Sequence, residues 1–231
     1  MKSNYFIAGT DTDVGKTFVS RALLLAAKNK GLKTVALKPI AAGCEQTEKG
    51  LRNSDALLLQ EAMTVELPYQ QVNPVALLPA IAPHIAAQLT GKKINVRQLA
   101  GYCRGALLEP HDFALVEGAG GWRVPLNSRE SLADLAKELN FPVILVVRMG
   151  LGCLNHTLLT VEAIQRDGLK LAGWIANSPQ NKMDFYDDNI LSLQSRIPAP
   201  LIAKIPFLTR LSANSSLPAI DIDILLEDQG S

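Results

Sequence analysis

Short runs of apolar residues recur along the chain, and hardly any of them alternates with polar residues. They lie at residues 5–8, 34–37, 113–116, 142–147, 171–176 and 201–205. A strand that is covered by helices on both faces has a continuous apolar pattern, whereas a strand with one face in water alternates. The runs therefore predict the strands of a parallel sheet that is buried on both sides.

Segments with helical spacing of their apolar residues separate these runs. They predict helices near residues 17–30, 55–62, 84–89, 96–108, 131–139, 155–166 and 184–195. Gly31 is a candidate C-cap of the first helix and Ser54 a candidate N-cap of the second. Residues 67–83 contain four prolines, so irregular structure is predicted there. Alternating strands and helices indicate an α/β fold, and no change in composition divides residues 1–231, so we expect one domain.

Composition and charge narrow the classes of function. The 231 residues include 23 basic and 22 acidic side chains, a formal net charge of +1, so neither nucleic acid nor an anionic membrane is indicated as a partner. No apolar run approaches the roughly 20 residues of a membrane span, and the N-terminus lacks the pattern of a secretory signal. The cysteines, Cys44, Cys103 and Cys153, are far apart and favour free thiols in a reducing compartment. We expect a soluble, cytoplasmic protein.

The strongest motif is GTDTDVGKT at residues 9–17, between a predicted strand and a predicted helix. In that context backbone N–H groups and a helix N-terminus converge on an anion, so the motif predicts a phosphate loop and a P-loop NTPase-like fold. Lys16 is expected to reach the β- and γ-phosphates of a nucleotide, and the Thr17 hydroxyl to bind Mg²⁺. Five residues separate Gly9 from Gly15, one more than usual, and Thr10 in place of the first glycine restores the common spacing.

Two carboxylates and a second lysine are candidates for the same site. Glu117 follows the apolar run 113–116, the position from which an acidic residue reaches Mg²⁺ in such folds. Asp55 lies at the start of a predicted helix, where a metal role and the plain preference of the helix dipole for a carboxylate are equally consistent with the sequence. Lys38 ends the second predicted strand, at the sheet edge where α/β folds bind ligands, and a solvated lysine is an equal alternative.

Further blocks agree in order along nearly the whole chain. They are KPIAAG at 38–43, RNSDA at 52–56, NP at 73–74, PHI at 83–85, VEGAGGW at 116–122, PVILVV at 142–147, LGCLNHTLLT at 151–160, LAGWIAN at 171–177 and IPAPL at 197–201. Together with the phosphate loop they resemble the dethiobiotin synthetases. The resemblance implies an enzyme of biotin biosynthesis that uses Mg²⁺ and ATP to join CO₂ to 7,8-diaminopelargonate. The cyclic urea closes through a carbamic-phosphoric anhydride.

The resemblance also implies a role for each matching residue. Lys16 and Lys38 are the implied catalytic cations, and Thr17, Asp55 and Glu117 the implied Mg²⁺ ligands. Besides these, the nucleotide is expected to contact Asp13, Val14, Gly15, Phe18, Gly118, Ala119, Gly120, Asn177, Pro206, Phe207 and Leu208. The diamine substrate is expected at Thr12, Ala42, Gly121, Gly152, Cys153 and Asn155, with its carboxylate at the last three. The implied assembly is a homodimer that shares this carboxylate site.

Two positions depart from the family pattern. Ala42 stands two residues before Cys44, where the family usually has a serine, so a hydroxyl contact to the substrate is missing. A family tyrosine near the partner's substrate site has only Tyr186 as its counterpart, displaced by about a helical turn. Both departures bear on substrate affinity rather than on phosphoryl transfer.

Three alternatives stay open at this point. Residues 181–184, NKMD, match the guanine-recognition pattern of GTP-binding switch proteins, although a Ser-Pro-Gln loop separates them from the preceding strand. A different ATP-dependent synthetase of the same lineage is the second alternative, and the chain is too short to add a glutaminase domain. A non-enzymatic nucleotide-binding protein is the third, and the full set of candidate cations and metal ligands argues against it.

Overall fold

The computed structural model describes residues 2–179, 183–207 and 217–227. The strands in these ranges form one main sheet and two small sheets. They are β1 (Ser3–Gly9), β2 (Thr34–Leu37), β3 (Ile40–Ala41), β4 (Glu45–Thr47), β5 (Gly50–Arg52), β6 (Val75–Ala76), β7 (Phe113–Glu117), β8 (Val143–Arg148), β9 (Leu171–Asn177) and β10 (Leu201–Ile205). The main sheet has six strands in the order β10-β9-β8-β1-β7-β2, and every pair in it is parallel. The predicted parallel sheet is confirmed.

Helices connect these strands over the same described ranges. They are α1 (Lys16–Asn29), α2 (Ser54–Ala62), α3 (Tyr69–Val72), α4 (Pro83–Leu89), α5 (Val96–Ala106), α6 (Leu132–Leu139), α7 (Cys153–Arg166), α8 (Tyr186–Gln194) and α9 (Asp223–Glu227). None of the helices in the described ranges is long and apolar enough to cross a membrane.

Two apolar cores lie on opposite faces of the main sheet. Successive side chains of a strand point to opposite faces, and accordingly Tyr5 and Ile7 pack in one core while Phe6 and Ala8 pack in the other. Helices α1 and α9 contribute to the first core, and α5, α6, α7 and α8 contribute to the second. Helices therefore cover both faces, as the continuous apolar strands predicted.

Three local predictions were wrong. Gly31 is not the C-cap of α1: Lys30 is, and Gly31 follows it with a φ of 79°. Ser54 does not cap α2: Asn53 is the N-cap, and its side-chain oxygen accepts a hydrogen bond from the Ala56 N–H (3.2 Å). Residues 67–83 are not irregular throughout, because α3 and β6 lie within them. β6 forms where this segment runs beside β3 and pairs with it in parallel.

The strand order brings three separate pieces of sequence to one edge of the sheet. β1 lies between β7 and β8, and β2 pairs with β7. Because these strands are parallel, their carboxyl ends meet, and ligands of open α/β sheets bind at such an edge. The loop after β1, the end of β7 and the residue after β2 thus converge on one place.

Candidate active site

The loop between β1 and α1 takes a backbone path that a glycine makes possible. Gly15 has a φ of 89°, in the left-handed region, and a side chain there would clash with the amide of Asn177. Asn177, at the end of β9, donates a hydrogen bond from Nδ2 to the Val14 carbonyl (2.7 Å). The end of β9 therefore supports the phosphate loop through Asn177, and α1 begins directly after the loop.

Lys16 lies inside this loop rather than in solvent. Its Nζ donates to the carbonyl oxygens of Asp11 (3.0 Å) and Gly120 (2.6 Å). Burial, followed by the charge of Lys38, lowers the pKa of Lys16 to about 8. An ammonium group that is costly to bury and held only by neutral carbonyls is poised to bind an anion.

Glu117 is the centre of the polar network beneath the loop. Its side chain is 0% exposed, and its two oxygens accept hydrogen bonds from the hydroxyls of Thr17 and Ser20, both at 2.8 Å. The Lys38 ammonium lies 2.7 Å from the oxygen that Thr17 contacts. These hydrogen bonds and the neighbouring cation offset the cost of burying a carboxylate.

The Lys38 ammonium forms ion pairs with both Glu117 and Asp55. Its Nζ lies 3.2 Å from Asp55 Oδ2 and also donates to the Gly118 carbonyl (3.2 Å). Burial by itself lowers the pKa of Lys38, but the carboxylates of Glu117 and Asp55 outweigh burial, so the pKa is raised and the side chain stays cationic. The Asp55 side chain is 43% exposed, so it faces the open part of the site.

A cavity of about 1070 Å³ opens in front of these groups. The predicted site residues that line it are Thr12, Asp13, Gly15, Lys16, Thr17, Phe18, Lys38, Ala42, Asp55, Glu117, Ala119 and Gly120. Residues of α2, of the segment 80–83 and of the segment 123–125 complete the wall. The two lysines, Asp55, Glu117 and the phosphate loop therefore share one cavity, which Asp13, Arg21 and Arg123 also line.

Other predicted site residues do not line this cavity. Asn177 is buried behind the phosphate loop, and Pro206 and Phe207 follow β10 at the same sheet edge, whereas Leu208 lies outside the described residues. Val14, Gly118 and Gly121 sit in the two loops that form the wall, without facing the cavity themselves. Their roles remain predictions.

The predicted carboxylate site is separate from the cavity as well. Gly152 precedes α7 with a φ of 90°, Cys153 is buried and Asn155 is exposed. None of these three residues lines the cavity.

Sequence reasoning missed two residues that build the network. Ser20 lies three residues after Thr17 on α1, a spacing that puts both hydroxyls on one helix face, and this was the available signal. Asn73 donates from Nδ2 to the Lys38 carbonyl (2.6 Å) and so fixes the backbone from which the lysine leaves β2. It belongs to the NP block at 73–74, whose function the sequence alone did not suggest.

Comparison with known proteins adds to this geometry. A family model described as an AAA domain matches residues 3–215. The chain is 55% identical over 226 residues to the ATP-dependent dethiobiotin synthetase BioD of Cellvibrio japonicus (strain Ueda107), covering 98% of this chain and 99% of that protein. It is 51% identical over 220 residues to the protein of that name from Marinobacter nauticus, covering 95% and 94%.

Solved structures resemble the chain in fold. A plasmid partition protein of Borrelia burgdorferi B31 bound to AMPPNP superimposes with a TM-score of 0.59 at 14% identity, over 98% of this chain and 97% of that one. The septum site-determining protein MinD of Pyrococcus horikoshii OT3, complexed with Mg-ADP, gives 0.51 at 18% identity, over 88% and 81%. These likenesses support the P-loop NTPase-like fold.

Proposed function

The chain belongs to the family of ATP-dependent dethiobiotin synthetases, and from that premise we propose how its own residues form a cyclic urea from 7,8-diaminopelargonate and CO₂. The observation that carries the proposal is the pair of buried lysines at the cavity. Lys16 and Lys38 are both held by carbonyls of one loop, close to the carboxylate of Glu117. Such a site neutralises charge on a polyphosphate and on a second anion at once.

The reaction needs positioning and charge neutralisation rather than a covalent intermediate on the protein. One substrate amine adds to CO₂ and loses a proton, which gives a carbamate. A carbamate oxygen then takes the γ-phosphoryl group of ATP, and ADP leaves. The second amine attacks the carbonyl of this mixed anhydride and loses a proton, phosphate departs with the oxygen that carried it, and the ring closes.

Lys16 and Lys38 supply the charges that these steps require. Lys16 follows the phosphate loop at the start of α1, so its ammonium is placed for the β- and γ-phosphates. Lys38 stays cationic because of its two carboxylate neighbours, and it neutralises carbamate charge as the phosphoryl group arrives. The backbone of the phosphate loop orients the nucleotide, and the glycine loop 118–121 leaves room for the reacting end of the diamine.

The side-chain oxygen atoms at the cavity are of the kind that bind magnesium. Thr17, Asp55 and Glu117 would hold Mg²⁺, since a hydroxyl and carboxylates are the donors that a hard cation accepts. Among the described residues no group of three or more His, Cys, Asp or Glu side chains could hold a metal by itself, which suits an ion that also takes phosphate oxygens and water. When bound, Mg²⁺ neutralises charge on the β- and γ-phosphates.

We also propose that the protein acts as a homodimer. The carboxylate site at the start of α7 is separate from the cavity, and the residue before it, Leu151, is fully exposed, as are much of Leu159 and Phe185. Replacing Leu151 with glutamate should shift the protein to a monomer in sedimentation experiments and raise KM for the diamine. A wild-type protein that sediments as a monomer at assay concentrations would refute this arrangement.

An omission assay tests the activity. Phosphate release should require Mg-ATP, the diamine and bicarbonate together, and should stop when any one is left out. Release without the diamine would mean that the protein is a simple nucleotidase.

ATP should also outcompete GTP in the same assay. This outcome is expected if Asn177 and residues 206–208 contact adenine. A preference for GTP would favour the guanine-recognition alternative at residues 181–184 instead. Asn181 and Lys182 of that motif lie outside the described residues.

A further inference from the structure

The Asp167 carboxylate is bonded to two consecutive residues, Trp122 and Arg123, and the second of them lines the cavity. Asp167 directly follows α7, and its side chain is 9% exposed. Oδ2 accepts a hydrogen bond from the Trp122 indole N–H (2.8 Å). Both terminal nitrogens of Arg123 lie 2.9 Å from the carboxylate, one from each oxygen. A two-pronged pair of this kind fixes orientation as well as distance.

The Trp122 side chain is itself held in place by packing. The indole is buried and packs edge-on against the Phe6 ring of β1, with ring centroids 6.2 Å apart. A buried indole N–H needs an acceptor, and the Asp167 carboxylate supplies it. Trp122 is thereby tied to both β1 and the end of α7.

The segment just before Trp122 holds both candidate catalytic lysines. The Gly120 carbonyl accepts from Lys16 at 2.6 Å, and the Gly118 carbonyl accepts from Lys38 at 3.2 Å. Three of the four residues 118–121 are glycines, which restrict the backbone least of all residues. Such a loop keeps its carbonyls in place only if its ends are anchored. Glu117 in β7 anchors one end. At the other end Asp167 holds Trp122 and Arg123, and beyond them the Val124 carbonyl accepts from the Leu132 N–H (2.9 Å).

We propose that Asp167 is a positioning residue for phosphoryl transfer. It anchors the second end of the glycine loop through Trp122 and Arg123, and so fixes the two carbonyls that aim Lys16 and Lys38. Asp167 itself touches neither lysine and does not line the cavity. This inference rests on the proposed function, since it assigns the residue to the step that the two lysines serve.

Asp167→Ala removes both contacts, and Trp122→Phe removes only the indole donor while keeping a ring beside Phe6. Each should lower kcat by about tenfold, because displacement of a catalytic group by a fraction of an ångström is costly. KM for ATP should change less than about twofold, because the phosphate-loop amides that bind the nucleotide do not depend on Asp167. Combining the two variants should lower kcat little further than either alone, since they break one connection.

Asp167→Asn is the conservative variant. It keeps an oxygen that can accept from Trp122, so it should retain most of kcat even though it loses the charge that pairs with Arg123. This variant also keeps the test informative if Asp167→Ala folds poorly.

A stability control separates positioning from a general loss of structure. Asp112→Ala removes a carboxylate that accepts a hydrogen bond from the Lys33 N–H (2.8 Å). Asp112 directly precedes β7, at the end of the strand opposite Glu117, so this variant should leave kcat unchanged at the assay temperature. Hydrogen exchange supplies a readout that needs no substrate: residues 118–123 should exchange faster in Asp167→Ala and not in Asp112→Ala.

The outcomes distinguish this proposal from the proposed function. If the parent protein releases no phosphate with the diamine, the proposed function fails, and hydrogen exchange still decides whether Asp167 anchors the loop. The anchoring proposal is overturned if loop exchange is the same in Asp167→Ala and parent. It is equally overturned if the parent is active and kcat of Asp167→Ala stays within twofold of it, or falls no more than in Asp112→Ala.

Discussion

Glu117 and Asp55 both neighbour Lys38, but they differ in what surrounds them. Glu117 is fully buried and also bonded to Thr17 and Ser20, whereas nearly half of the Asp55 side chain is open to solvent. A buried partner of an ion pair cannot be removed without leaving the other charge uncompensated. An exposed partner is screened by water and contributes little. Substitutions of Glu117 and of Asp55 should therefore differ in their effect on the stability of the protein.

Glu117→Gln should lower stability by about 3–5 kcal/mol, because Lys38 keeps its burial and loses its main counter-charge. Asp55→Asn should change stability by less than about 1 kcal/mol. Both variants should raise the Mg²⁺ concentration needed for half-maximal rate, since each removes an anionic oxygen from the proposed site. Thermal unfolding and Mg²⁺ titrations check both statements. Unchanged Mg²⁺ dependence in either variant would remove that residue from the metal site.

Lys16→Gln should lower turnover by about a hundredfold, because a charge aimed at the transferring group is typically worth about 3 kcal/mol. Its stability should not fall at pH 7, because the lowered pKa of Lys16 means that folding disfavours the charged form. Lys28→Gln, at an exposed position of the same helix, is the matched control and should behave as wild type. Near-normal turnover of Lys16→Gln would contradict the assignment.

Ala42 lines the cavity, and its methyl side chain offers no polar atom. Ala42→Ser should lower KM for diaminopelargonate by about two- to tenfold, the contribution of one net hydrogen bond. KM for ATP should not change, since the phosphate loop is untouched. Steady-state kinetics on both proteins decide the matter. An unchanged or higher KM for the diamine would show that residue 42 does not face the substrate's amine end.

The apolar pattern of the sequence predicted the long strands and the long helices, but it predicted less well the residues at which they begin and end. The run 34–37 coincides with β2 because four buried residues sit between a loop and the proline at position 39. The cap of α2 was assigned to Ser54 because two adjacent polar residues, Asn53 and Ser54, can both serve there. Only the backbone path decides between them. β3 and β6 are two residues each, too short for any periodic signal.

The cap of α6 gives a pH-dependent prediction. Ser131 and Asp134 form a capping box. Partial burial raises the pKa of Asp134, but hydrogen bonds from Ser131 outweigh it, so the pKa lies below its ordinary value of 3.8. A lowered carboxyl pKa contributes stability above the unfolded value, and that contribution is lost as pH falls through the folded value.

Asp134→Asn should therefore cost roughly 0.5–1 kcal/mol at pH 7, the usual range for helix caps. The difference from wild type should shrink below pH 4 and vanish at lower pH, where the wild-type carboxyl is also neutral. Urea unfolding at pH 7 and at successively lower pH values below 4 measures how this difference changes. A difference that persists at the lower pH would mean that the carboxylate charge is not what stabilises the cap.

At the scale of the whole molecule, strand order assembles the site from distant sequence. Lys16, Lys38, Asp55 and Glu117 are up to 101 positions apart along the chain, and they meet because β7 lies between β1 and β2. Apolar runs predict that parallel strands share an edge but not which strands are neighbours. The phosphate loop and the two lysines could therefore be predicted. The link from Asp167 through Trp122 could not, since nothing in the pattern places the end of α7 beside the glycine loop.

The central claim is that the γ-phosphoryl group of ATP is transferred to an oxygen of the carbamate, and the most direct test follows that oxygen atom. With ¹⁸O-labelled bicarbonate, the account predicts that each released phosphate carries one labelled oxygen, because the oxygen that accepts the γ-phosphoryl group comes from CO₂ by way of the carbamate. The cyclic urea should retain the other. Mass spectrometry of phosphate and product, at times short enough to limit exchange with water, measures both. Unlabelled phosphate released while the diamine is consumed would contradict phosphoryl transfer to the carbamate.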